Sequence, residues 1–198
     1  MIDVPYRLGE LKFSYTFANI DFITNSFVEF RNKTADVEFN LKEVYIGWYL
    51  SFGEIRIGNQ VNSWGYADGN NPTDNLNPYD FNYLFLTGTE RKVATFSMAF
   101  ETYINDHKLG AVIIPQHEPN RFPIDDADFK MDDNEVPPSI NEDELQWGIS
   151  FQSMLGESDY MLTYFNGFDF SPAYAGMDLT QQLPFQFEYR KTHVIGLS

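Results

Sequence analysis

The chain has no cysteine. That excludes a disulfide framework and any thiolate metal site. Positive charge is scarce as well: 13 Lys and Arg stand against 29 Asp and Glu, a net charge of −16. Binding nucleic acid through its phosphates needs clustered cations, so no nucleic-acid partner is expected. No apolar run reaches the roughly eighteen residues of a transmembrane helix, and helical periodicity is nearly absent. The opening residues, MIDVPYRLGE, lack the basic start and apolar stretch of a signal peptide. That leaves a cytoplasmic chain, a mature form or an internal fragment.

What the sequence does hold is aromatic and alternating. Aromatics make up 17% of 198 residues, with 19 Phe and 12 Tyr, and such residues favour strands. Alternation predicts nine strands, at roughly 10–19, 22–31, 36–50, 54–64, 93–104, 108–115, 145–155, 159–168 and 185–198. Short turns near 20–21, 51–53, 105–107 and 156–158 alternate with connections that are mostly long, at 65–92, 116–144 and 169–184. Short turns on one side and long loops on the other are the layout of an outer-membrane barrel. A soluble sandwich has no such division.

The strand faces fit this layout. In strand 93–104, Phe96, Met98 and Phe100 oppose Thr95, Ser97 and Glu101; in strand 145–155, Trp147, Ile149 and Phe151 oppose Gln146, Ser150 and Gln152. The apolar faces would meet lipid and the polar ones a wet lumen, although in a soluble sandwich the same pattern means core and solvent. Trp48, Tyr49, Tyr103 and Tyr160 gather near the short turns, as in an interfacial belt. Strand 36–50 changes phase, which predicts a bulge near Lys42. Asn59 falls on the apolar side of its strand. Lys191 and His193 do the same in strand 185–198, so a bulge is expected there too. Nine is an odd number, whereas bacterial single-chain barrels have even ones, so residues 1–198 are read as part of a larger barrel.

The segment WGYADGNNPTDNLNPYDF, 64–81, is the most unusual text. Asp68, Asp74, Asn77 and Asp80 offer oxygen ligands, but the EF-hand spacing is missing and these residues are standard turn formers. A structural loop is the main reading, calcium the minor one, and no metal or cofactor is assigned. His107, His117 and His193 are scattered, and no hydrolase, zincin or P-loop motif occurs, so no catalytic residue is assigned and no enzyme is expected. A loop of this kind suits a cap or constriction, with Trp64 packing its base. The acidic loop 118–144 reads as a solvated loop. Residues 116–144 hold ten acidic and two basic residues.

The run VYIGWYLSFGEIRIGNQVNSWGYADGNNPTDNLNPYDF (44–81) resembles an uncharacterised family of porin-like outer-membrane β-barrels from Gram-negative bacteria. The likeness lies in Gly58, Gln60, Trp64–Gly65, Ala67–Asp68–Gly69, Thr73–Asp74 and Asn77–Pro78 with Asp80. VIIPQHEPNRFP (112–123) and RKTHVIGLS (190–198) resemble further parts of the same family. The resemblance implies an antiparallel transmembrane β-barrel in the outer membrane, with lipid as partner. The chain departs from it in lacking a signal peptide and a C-terminal aromatic residue. Both departures suggest truncation.

The expected function is therefore a porin-like channel for passive passage or uptake of small polar solutes. Lys12, Arg56, Gln60, Glu101, Gln146, Gln152, Glu188 and Arg190 are the pore-lining candidates. The alternatives are a non-conducting outer-membrane barrel that is structural or holds a hydrophobic ligand, and a soluble β-sandwich that binds carbohydrate. Homo-oligomerisation stays open.

Overall fold

Nine strands pair side by side in one antiparallel sheet, and two more form a separate hairpin. The structure is a computed structural model that describes residues 5–31, 35–65, 73–83, 86, 88–122, 144–156, 158–177 and 185–198. The sheet holds β1 (Tyr6–Phe17), β2 (Ile20–Arg31), β3 (Asp36–Leu50), β4 (Gly53–Gln60), β5 (Thr95–Ile104), β6 (His107–Ile114), β7 (Gln146–Leu155), β8 (Ser158–Phe168) and, last in order, β11 (Lys191–Leu197). The hairpin joins β9 (Ala173–Met177) to β10 (Phe185–Glu188). The 3₁₀ turn Gly88–Arg91 lies between β4 and β5.

Local chemistry accounts for the meander. Aromatic and β-branched residues fill the strands. Tight turns join β1 to β2, β3 to β4, β5 to β6 and β7 to β8, all at one end of the sheet. Ala18, Asn105 and Gly156 take left-handed φ values of 55°, 54° and 66° there, as primed hairpin turns require. The long connections all leave from the opposite end, which is the predicted layout.

Register shows why the alternation works. Phe17, Ile20, Trp48, Ile55, Phe100, Ala111, Ile149, Tyr164 and Ile195 pair in turn across all nine strands. They form an unbroken apolar row on one face, called outer below. The predicted bulge is present: Asn25 pairs with Glu43 and Ser26 with Leu41, leaving Lys42 as the extra residue. The bulge keeps Val37, Phe39 and Leu41 on the same exposed face as Val44, Ile46 and Trp48.

The inner face is polar in large part. A small apolar core of Ala99, Val112, Ile114, Met161 and Phe165 sits on it, covered by Trp64 and Leu76 from the β4–β5 connection.

Several expectations need correction. The barrel is matched only as an all-β antiparallel sheet. The sheet is open, with β1 and β11 as edges. Strand 185–198 is two elements, broken at Tyr189–Arg190, and the connection 169–184 carries part of the hairpin. β11 itself pairs with β8 without a bulge. Of the four rim aromatics, Trp48 and Tyr160 face outward. Tyr49 and Tyr103 share the inner phase of Glu54 and Lys108.

Candidate functional site: a strapped polar face

The connection between β4 and β5 determines the shape of the inner face. It enters at Trp64, whose ring lies over Gly148 of β7; a Cβ at Gly148 would stand 2.3 Å from the indole. Only glycine admits this contact. The Gly65 amide meets the Met161 sulfur on β8 at 3.1 Å. Thr73 lies against β11, where a Cβ on Gly196 would meet its methyl at 2.8 Å. The same connection also reaches β2 on this inner face. Tyr83 packs edge-on to Phe27 of β2 at 6.1 Å and donates a short hydrogen bond to Glu29. One connection thus straps the inner face from β11 to β2.

Its anchors are the residues that the sequence singled out. Asn77 is fully buried. Its Oδ1 accepts from the Asn62 amide at 2.7 Å, and its Nδ2 lies 3.2, 2.9 and 3.0 Å from Gln60 O, Val93 O and Thr95 Oγ1. It therefore stitches the end of β4 to the start of β5. Asp74 forms a buried ion pair with Lys92 at 2.6 Å; burial draws the Lys92 ammonium below its ordinary value, and Asp74 opposes the shift. Asp80 meets Arg121 at 3.2 Å and accepts from the Asn82 amide at 3.0 Å. These carboxylates turn to separate protein cations, so their observed role is structural. Asp68 lies outside the described residues, as does most of the acidic loop, 123–143.

The start of that loop is ordered by the strap. The Arg121 amide donates to Tyr79 O at 2.9 Å and the Phe81 amide to Arg121 O at 2.8 Å. Nearby, His117 is buried among Phe168, Phe170 and Tyr189. Its Nε2 sits 3.1 Å from Asp169 O. Burial lowers its pKa and the Asp169 contact partly offsets this. In the sequence His117 is only one of three scattered histidines; in the fold it pins two loops together.

Six of the eight pore-lining candidates share the inner face. Gln60 and Gln146 are buried, with Gln60 Nε2 donating to Ser97 O at 3.1 Å and Gln146 Oε1 accepting from the Phe168 amide at 3.1 Å. Lys12 stays open at the β1 edge, paired to Glu10 at 3.4 Å, and Gln152 lies opposite Lys108. Glu188 and Arg190 are a correction. They belong to the hairpin and its exit, not the sheet, where Arg190 meets Glu188 at 3.7 Å and donates to Tyr174 O at 2.9 Å.

Arg56 and Glu101 form the centre of a network. Glu101 holds Arg56 at 3.2 Å and Lys108 at 2.7 Å, while Arg56 also faces Glu54 at 3.8 Å. They line a cavity of about 400 Å³ together with Lys42, Glu43, Val61, Ser63, Thr89 and Lys108. Sequence reasoning missed Lys42, Glu43 and Lys108. The predicted bulge was the available signal for Lys42, because a bulge re-aims its extra side chain. The strap and the cavity together make a polar recess walled by strands and roofed by a fixed loop. Scans against protein-family models, curated proteins and solved structures find no match to this chain.

Proposed function

We propose that this sheet is a wall segment of an outer-membrane β-barrel that passes small polar solutes. One observation carries the reading: the polarity of the sheet is inverted. Large apolar residues cover the outer face and stand exposed, from Phe13 at 57% to Ile195 at 75%. On the inner face Ser97 and Gln146 are wholly buried. A soluble sandwich buries its apolar face, so the carbohydrate-binding alternative has less support. Lipid is the medium that suits an apolar row nine strands wide, and most of the sheet strands have the eight to twelve residues that suit a tilted span.

In this reading the strap narrows the lumen and the charged recess is the polar path beside it. Mixed fixed charges along such a path tune passage of polar solutes. The nine strands alternate in direction, so β1 and β11 run parallel. An all-antiparallel closed barrel needs an odd number of further strands between these two edges. The reading is non-enzymatic and agrees with the resemblance to porin-like barrels. A non-conducting barrel is the second reading, favoured by the apolar plug of Trp64 and Leu76 on the inner face. Conductance of the purified protein in planar bilayers separates the two. Discrete channel openings in KCl support passage, and a silent protein that is inserted as a closed barrel leaves the structural barrel.

A further inference from the structure

The recess between β3 and β6 has an unequal charge balance. Three cations line it, Lys42, Arg56 and Lys108, against two carboxylates, Glu43 and Glu101. Both carboxylates are engaged. Glu43 Oε1 accepts from the Val61 amide at 2.9 Å, and the two oxygens of Glu101 hold Arg56 and Lys108. Lys42 is left over. Among the described residues no hydrogen bond or ion pair engages its ammonium. Arg7, Glu43, Glu10 and Glu90 act on it only at longer range. It is the bulge residue of β3, half-buried, and it lines both this recess and a smaller one of about 100 Å³ beside it. In a regular strand Lys42 and Glu43 would point to opposite faces; the bulge lets both line the inner recess. Ser63 and Thr89 add hydroxyl groups to the same recess.

We propose that the recess binds small hydroxylated carboxylates, with the Lys42 ammonium holding the carboxylate and Ser63, Thr89 and the Glu43 side meeting the hydroxyl groups. The recess lining carries +1, three cations less two carboxylates, inside a chain of −16. Glu54 stands behind Arg56, so the open cation is Lys42, and a charge-assisted contact to it in a partly desolvated recess is worth more than a neutral one. The inference rests on the proposal that the inner face is the one solutes meet, and it adds the solute class.

The test is titration calorimetry of the full chain in detergent micelles at low salt, with gluconate, its uncharged counterpart sorbitol, and glucosamine as a cation. Gluconate should bind at least about tenfold tighter than either. Lys42→Gln should remove that preference, and Lys42→Arg should keep it within about twofold, since the charge remains. Circular dichroism confirms that each variant is folded. Equal binding of gluconate and sorbitol, or a folded Lys42→Gln protein that binds gluconate as tightly as the unaltered chain, overturns the proposal. Bilayer conductance run alongside separates the two claims. A conducting protein without gluconate preference loses only the solute class, and a silent protein that binds gluconate through Lys42 loses only the channel.

Discussion

The two faces of this sheet are made from the same strands yet follow opposite rules. The outer face of β5 shows Phe96 and Met98 to the surroundings, while one residue along, Ser97 is sealed beneath Asn62, which donates to its hydroxyl at 3.0 Å. The outer face has no partner within the described chain; the inner face has the strap. The difference shows that hydrophobicity alone does not mark the inside of a protein. What matters is which face has protein over it, and here protein covers the polar one.

The largest effects are expected on the inner side. Asp74→Ala leaves the Lys92 ammonium buried without its partner and should cost about 3–5 kcal/mol. The joint change Asp74→Leu with Lys92→Met should restore much of that. Urea unfolding of the variants in micelles measures both. On the outer side, Met98→Arg puts a charge in the middle of the apolar row. It should destabilise a bilayer-inserted protein by about 2–4 kcal/mol and barely affect one in water. Comparing unfolding in vesicles and in buffer reads out that contrast. Gly148→Ala drives a methyl into the Trp64 ring. It should cost about 1–3 kcal/mol and shift the fluorescence of the displaced indole.

The smallest effect is a pH dependence at the loop junction. Burial holds the His117 pKa below its ordinary value, so the unfolded chain takes up a proton before the folded one does. Its contribution is complete above about pH 6.5 and declines as the pH falls below that toward the folded pKa. The denaturation midpoint of the unaltered protein should therefore drop between pH 7 and pH 5. His117→Phe, which keeps the aromatic packing and removes the titration, should flatten that part of the curve.

Much of the fold was legible because a strand repeats every two residues. The run from Thr95 to Ile104 states its faces outright, and the phase change in strand 36–50 gave away the bulge at Lys42. The strand rule fails near Tyr189–Arg190, where composition stays strand-like but the chain turns from the hairpin into β11. Hence alternation alone puts Glu188 and Arg190 on one strand with β11, although the hairpin ends before it. For the site, the residues of the loop motif were visible and their partners were not. Asp74 and Lys92, or Trp64 and Gly148, meet only through sheet order, which one-dimensional periodicity does not encode. Lys108 and Glu101 became a pair for the same reason, by register across a hairpin.

In the proposed barrel wall the outer face meets lipid and the inner face does not. The absence of native cysteine allows single cysteines to be placed and spin-labelled one by one along β5, from Thr95 to Ile104, in the reconstituted protein. Collision with oxygen, which concentrates in the bilayer, is then measured against collision with a polar nickel complex. A lipid-facing outer surface gives a two-residue oscillation, with oxygen access high at Phe96, Met98 and Phe100 and low at Ser97 and Ala99. Uniform access along the strand, or access to the nickel complex at Met98 equal to that of a free label in water, would contradict it.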